Sequence, residues 1–157
     1  MEEILICRIC RSGSMGSTDL GPLPDTPSTA TIRRHNNNRL GAVFSSLHGF
    51  WVSRQAAINT AGQNIARRDA YSVILFESSS YTSISNDFAS SPDDLLNRIV
   101  SQRTGNGTNY TGALTMAQSV IVQNWSNERY VILACYSYWP AMTRHLKVSC
   151  SHLPLGW

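Results

Sequence analysis

Charge is scarce in this 157-residue sequence, and acidic charge ends altogether at Glu128. Charged residues make up 15% of the chain, well under the roughly 25% usual for soluble domains. Thirteen Lys and Arg face ten Asp and Glu, and the net +3 comes entirely from Arg129, Arg144 and Lys147. So slight a surplus falls short of the basic footprint that nucleic acid requires, and that class of partner is set aside. Long apolar runs are missing as well. Met1-Glu2-Glu3 is acidic, and Ile4-Leu5-Ile6 is followed at once by Cys7 and Arg8. A secretory leader needs a basic start and a longer apolar stretch, and a membrane span needs about 20 residues. This pattern predicts a cytoplasmic protein with no membrane partner. The four cysteines, Cys7, Cys10, Cys135 and Cys150, are then expected to stay reduced. Sequons at Asn106, Asn109 and Asn124 read as chance in a chain without secretion.

Catalytic signatures are also wanting. Serines are plentiful and His35, His48, His145 and His152 are present, but no nucleophile-elbow motif appears. Gly105-Asn106-Gly107-Thr108 lacks the Lys of a phosphate-binding loop, and no dinucleotide glycine pattern occurs. His48, directly after Leu47, reads as a surface or boundary residue. No enzymatic activity is predicted. Cys7 and Cys10 have zinc-ligand spacing, with Cys135, His145, Cys150 and His152 as conceivable completing ligands. One spaced pair is weak support for zinc, and on a strand positions 7 and 10 face opposite ways.

What is present is an alternation of apolar strands and amphipathic helices. Residues 4–9 read as a short strand, made awkward by Arg8. Residues 16–38 contain Pro22, Pro24 and Pro27 and a polar Arg33-Arg34-His35-Asn36-Asn37-Asn38 run. They show no helical or strand period and are expected to be a flexible insertion. Leu40, Val43, Phe44, Leu47, Phe50 and Trp51 then recur at helical spacing. Residues 71–76 form an apolar strand, and residues 81–85 alternate as an edge strand returning beside it. Ser91-Pro92-Asp93-Asp94 is a helix start, with Leu95, Leu96, Ile99 and Val100 as its buried face. A further helix over 111–123 should turn Leu114, Ala117, Val120 and Ile121 inward. Residues 130–135 are a second all-apolar strand. The order argues for an α/β fold with a mostly parallel, doubly wound, Rossmann-like sheet and helices on both faces. Its expected core is Leu40, Phe44, Leu47, Val73, Leu75, Leu114, Ile121, Ile132 and Leu133.

Two loops stand out. Cys10-Arg11-Ser12-Gly13-Ser14 ends the first strand, and Gly105-Asn106-Gly107-Thr108 precedes a helix. Together they resemble the metal-dependent adhesion site of the von Willebrand factor type A domain family. The resemblance covers residues 4–15 and 39–136. It implies that Ser12, Ser14 and Thr108 stand at the hydroxyl positions of a site for one divalent cation. The family's two aspartates fall on Cys10 and Tyr136. Magnesium and manganese prefer hard oxygen ligands with one or two carboxylates, so the site reads as degenerate and no cofactor is expected. No acid follows Glu128 to restore the second carboxylate, and near the first loop only Asp19 is within reach.

The resemblance further implies a strand order of three, two, one, four, then five and six. Here the expected partial domain spans 1–136 and lacks the last strands, and 137–157 form an irregular basic and aromatic tail. That tail reads equally as a partner-binding peptide, as a cover for the exposed edge, or as a segment without an evolved role. The function implied is protein–protein interaction or scaffolding without metal. Its partner-binding face is formed by Ser12, Ser14, Thr108 and Tyr136. Two alternatives stand beside it: a Mg- or Mn-dependent adhesion-type binder, and a non-functional truncated copy of a larger protein. Self-association through the edge formed by Tyr130, Val131, Ile132, Leu133, Ala134 and Cys135 is expected in either case.

Overall fold

Three apolar runs become neighbouring parallel strands, because strands covered by helices on both faces are apolar on both sides. The computed structural model describes residues 2–60, 69–124 and 129–136, with the side chains of residues 2, 3, 129, 130 and 132–136 outside the description. Its strands are β1 (Glu2–Cys10), β2 (Ala70–Phe76), β3 (Ser80–Asp87) and β4 (Arg129–Tyr136). Helices α1 (Thr29–His35), α2 (Arg39–Thr60), α3 (Pro92–Ile99) and α4 (Tyr110–Asn124) connect them, with a 3-10 turn at Gly13–Gly16. The sheet order is β3-β2-β1-β4. β1 lies parallel to β2 and β4, while β3 returns antiparallel to β2 through the turn at residues 77–79. The fold is therefore α/β with a mixed sheet, in the order expected for its first four strands.

Alternation along the strands divides the interior in two. Cys7, Ile9, Val73, Leu75 and Ile84 pack with Ile32 of α1, with Leu40, Phe44, Leu47 and Trp51 of α2, and with Leu95, Leu96 and Ile99 of α3. Ile4, Ile6, Ile74 and Val131 pack with Ala117 and Val120 of α4. Among the described residues no helix is long and apolar enough to cross a membrane.

Three expectations are corrected. Leu114 is 51% exposed, not core. The inward stripe of α4 runs through Ala113, Ala117 and Val120, with Met116 and Ile121 partly buried beside it. Small alanines let the helix approach the sheet, and Leu114 lies about 100° off that stripe. His48 is buried at 5% exposure, because it shares the stripe of Phe44, Leu47 and Trp51, and its Nε2 meets Asp93 Oδ1 of α3 at 2.9 Å. Cys7 and Cys10 both lie within β1 and are both buried, three positions apart on the strand. Residues 16–38, read as lacking helical period, contain α1 with Ile32 fully buried. Local hydroxyl bonds shape it: Thr29 Oγ1 donates to the Leu23 carbonyl at 2.7 Å and accepts from the Thr26 amide at 3.0 Å. Asn36 then fastens the segment, its Nδ2 donating to the carbonyls of Val100 (2.8 Å) and Gln102 (2.9 Å).

Of the other expected core residues, Leu40, Phe44, Leu47, Val73 and Leu75 are fully buried. The side chains of Ile132 and Leu133, and all of 137–157, lie outside the described residues. Arg8 is accommodated half-buried, with its Nε meeting no hydrogen-bond partner among the described residues.

Candidate functional site

Strand register gathers the loops at one end of the sheet. Cys10 is level with Phe76, and Ile9 with Tyr136. The segments that follow β1 and β2, and the connection from α3 to α4, therefore meet beyond the carboxyl ends of the parallel strands. Open α/β sheets bind ligands there.

The first loop is closed on itself. Ser12 and Ser14 share a hydroxyl–hydroxyl hydrogen bond at 3.0 Å, and the Cys10 thiol donates to Ser12 Oγ at 3.3 Å. Ser12 is buried and Ser14 exposed. Asp19 is clamped by Arg39, whose Nε and Nη2 donate to its two carboxylate oxygens at 2.7 and 2.6 Å. The Arg39 side-chain hydrogen bond holds the Asp19 carboxyl down at about 2. Arg39 Nη1 also donates to the Ser14 carbonyl at 3.3 Å, so a guanidinium lies against the serine loop.

The second loop is organised by a residue pair that the sequence reading left out. Arg11 Nη2 donates to Glu77 Oε1 at 3.0 Å, and both side chains are largely buried, at 15% and 17% exposure. Arg11 Nη1 donates to the Arg103 carbonyl at 3.0 Å and to Gln102 Oε1 at 3.3 Å. Its guanidinium lies 5.2 Å from the centre of the Tyr81 ring. The other carboxylate oxygen of Glu77 accepts the Asn106 amide at 2.9 Å. Backbone bonds complete the junction: the Gly105 amide donates to the Arg11 carbonyl at 2.6 Å, the Ser78 amide to the Asn106 carbonyl at 3.0 Å, and the Asn109 amide to the Glu77 carbonyl at 2.5 Å. Glycines make this possible. A Cβ at Gly105 would overlap the Glu77 carboxylate, and Gly107 has φ +74°, a conformation costly for other residues. Burial pushes the Tyr81 phenol up despite the nearby Arg11 charge.

Thr108 is exposed on this second loop, next to residues tied down through Asn106 and Asn109. Asn109 caps α4, its Oδ1 accepting the Gly112 amide at 2.8 Å. Tyr110 follows, half-exposed, with its ring 5.3 Å from that of Phe76. Ser12, Ser14 and Thr108 thus sit on neighbouring loops, but only the two serines touch. The backbone of Tyr136 ends β4 at the same end of the sheet, and its side chain lies outside the described residues. Cys7 is deeply buried, which pushes its thiol up to about 12. Among the described residues, no three His, Cys, Asp or Glu side chains come together in a cluster suited to a metal. The conceivable zinc ligands Cys135, His145, Cys150 and His152 fall outside the described side chains.

What the sequence reading missed had a faint signal. Glu77 is an acid set directly behind the mostly apolar strand β2, and Arg11 is a base at the equivalent place behind β1. Opposite charges at two strand ends are candidates for a pair once the strands are known to be adjacent and in register.

The sequence model of a family described as von Willebrand factor type A domain matches residues 10–135. No curated protein matches the chain. One similar solved structure is an uncharacterized membrane spanning protein from Vibrio fischeri, with a TM-score of 0.58 and 15% identity. The likeness covers 82% of this chain and 53% of that one, so this chain spans about half the other's length. Another is the three N-terminal domains of the type V pili tip protein Mfa5 from Porphyromonas gingivalis, with a TM-score of 0.49 and 14% identity over 90% of this chain and 22% of that one. At such identities the Vibrio fischeri structure speaks for the fold alone.

Proposed function

Because the chain belongs to the von Willebrand factor type A domain family, we propose that it is a protein-interaction module that works through its loop face without a divalent cation. The donor set carries this reading. Ser12 and Ser14 are bonded to each other, a thiol stands beside them where the resemblance expects a carboxylate, and Asp19 is held by Arg39. Neutral hydroxyls with a guanidinium beside them suit a hard dication poorly. Glu77, the remaining acid of the face, is engaged by Arg11 and the Asn106 amide. In this reading the adhesion site is degenerate, and the domain is a doubly wound one represented by its first four strands. The two apolar clusters, one on α1–α3 and one on α4, support that arrangement.

The partner is taken to be a protein, met inside the cell. Ser78, Asn106, Thr108, Asn109 and Tyr110 give the face exposed hydroxyl, amide and aromatic groups, and Arg103 stands exposed at its margin. Such a surface recognises a partner by hydrogen bonding and by the half-exposed tyrosine, a residue favoured at interface centres. Neither catalysis nor nucleic-acid binding is part of this proposal.

Isothermal titration with magnesium and manganese is the direct test. The unmodified chain is expected to bind no tighter than about 1 mM, weaker than most dedicated sites. Cys10→Asp combined with Tyr136→Asp should tighten binding. Submillimolar affinity of the unmodified chain would favour the metal-dependent alternative. The partner face is tested by a photo-crosslinking residue at Asn106, with Val122 on the outer side of α4 as control. Capture from Val122 but not from Asn106 would move the interface elsewhere.

A further inference from the structure

We propose that Arg11 and Glu77 form a built-in cross-link that positions the recognition loops, fixing the binding face in place through one ion pair. This rests on the metal-independent reading of the same face. Three chain segments, distant in sequence, meet at these two side chains. Arg11 brings the loop after β1, Glu77 the turn between β2 and β3, and residues 102–106 the connection from α3 to α4.

Every bond of the pair crosses between segments. Two guanidinium nitrogens reach Glu77, Gln102 and the Arg103 carbonyl, and the second Glu77 oxygen takes the Asn106 amide. Both charges are thereby turned inward, and charge-assisted bonds in a largely buried setting are the strong class of hydrogen bond. Losing one partner leaves the other charge buried and uncompensated, which is costly. Gly105 is the steric permission for this arrangement, since any side chain there would evict the carboxylate. Asn106, Thr108, Asn109 and Tyr110 follow directly, so their placement depends on where the pair holds residues 105 and 106. Arg11 and Glu77 are positioning residues, and the exposed groups beyond them are the ones that would meet a partner.

Amide hydrogen exchange on the full chain tests this, read at Asn106 and Asn109 against the amides of β2. In Glu77→Gln an acceptor oxygen for Asn106 is kept while the charge is lost. That variant, Arg11→Met and Gly105→Ala should each speed exchange at Asn106 and Asn109 by about tenfold or more, with β2 unchanged. That is the scale expected when a low-lying local opening is released. The charge-swapped Arg11→Glu with Glu77→Arg should restore more protection at Asn109, whose amide meets the backbone carbonyl of residue 77, than either single reversal. Asn106 is not read in the swap, since a guanidinium offers its amide no acceptor. Unchanged loop exchange in Glu77→Gln and Gly105→Ala, with β2 still protected, would overturn the cross-link. So would a swap that rescues nothing. If Arg11→Met or Gly105→Ala fails to fold, as judged by lost β2 protection, the decision passes to Glu77→Gln and the swap. Adding magnesium to the unmodified chain separates the two readings. Slower loop exchange with magnesium would sink the metal-independent function while leaving the variant results to decide the ion pair.

Discussion

Single residues in this chain behave according to whether their chemistry is satisfied locally or by a distant partner. The serine hydroxyls at 12 and 14 are satisfied two residues apart. His48 needs Asp93, 45 residues on, and its burial follows from sharing a helical stripe with Phe44 and Leu47. Leu75 is the plainest case of an apolar residue with no other role: it is fully buried near the carboxyl end of β2, between sheet and helices. Leu75→Ala removes three heavy atoms from a packed interior and should cost about 2–5 kcal/mol, measured by urea unfolding. A loss under about 1 kcal/mol would mean that neighbouring side chains collapse into the space far more readily than in most cores.

Helix α3 is the element whose limits are set most completely by its own residues. Ser91 Oγ accepts the Asp94 amide at 3.2 Å and Asp94 Oδ2 accepts the Ser91 amide at 3.3 Å, forming a capping box with Pro92 just inside. At the other end Arg98 pairs with Asp87 at 2.7 Å. Burial pushes the Asp87 carboxyl up, but the amides of Ser90 and Ala89, the Ser90 hydroxyl and the Arg98 charge leave it lowered overall. Ser91→Ala should therefore destabilise the domain by about 0.5–2 kcal/mol, the range for lost helix caps. A Ser91→Asp variant, which keeps a capping oxygen, should lose much less. Equal losses for both would show that packing of Leu95, Leu96 and Ile99 alone decides where α3 begins. Helix α1 is the opposite case, since its seven residues are held by contacts beyond its ends, Asn36 above all.

At the scale of the whole molecule, the sheet order leaves β3 and β4 flanking the described strands. β3 carries Ser, Thr, Asn and Asp and is broken by a register shift, features that blunt an edge against other chains. β4 has the sequence Arg-Tyr-Val-Ile-Leu-Ala-Cys-Tyr and pairs only with β1 among the described strands. An apolar strand without Pro or an internal charge is the kind that adds to a second copy, and a 15% charged chain gives little colloidal protection. Ile132→Lys is therefore expected to reduce concentration-dependent association in sedimentation velocity, at some cost in folding stability. Unchanged association would show that this edge is not its route.

Read alone, the sequence determined the elements whose signals are local. Apolar runs of strand length, the Ser91-Pro92 helix start, the spacing of Leu40, Phe44, Leu47 and Trp51, and two Gly- and Ser-rich loops all lie within windows of a few residues. Side-chain periodicity and capping chemistry act over that range, so these features were legible, as was the α/β class they compose. Tertiary structure decided the rest. Whether Leu114 or Ala113 faces the sheet depends on how closely α4 can approach it. Whether residues 16–38 order depends on carbonyls at Val100 and Gln102. The pairing of Arg11 with Glu77 depends on β1 and β2 lying side by side with Cys10 level with Phe76. Charges 66 positions apart carry no mark of each other in the sequence, because what joins them is strand register, and register exists only once the sheet has formed.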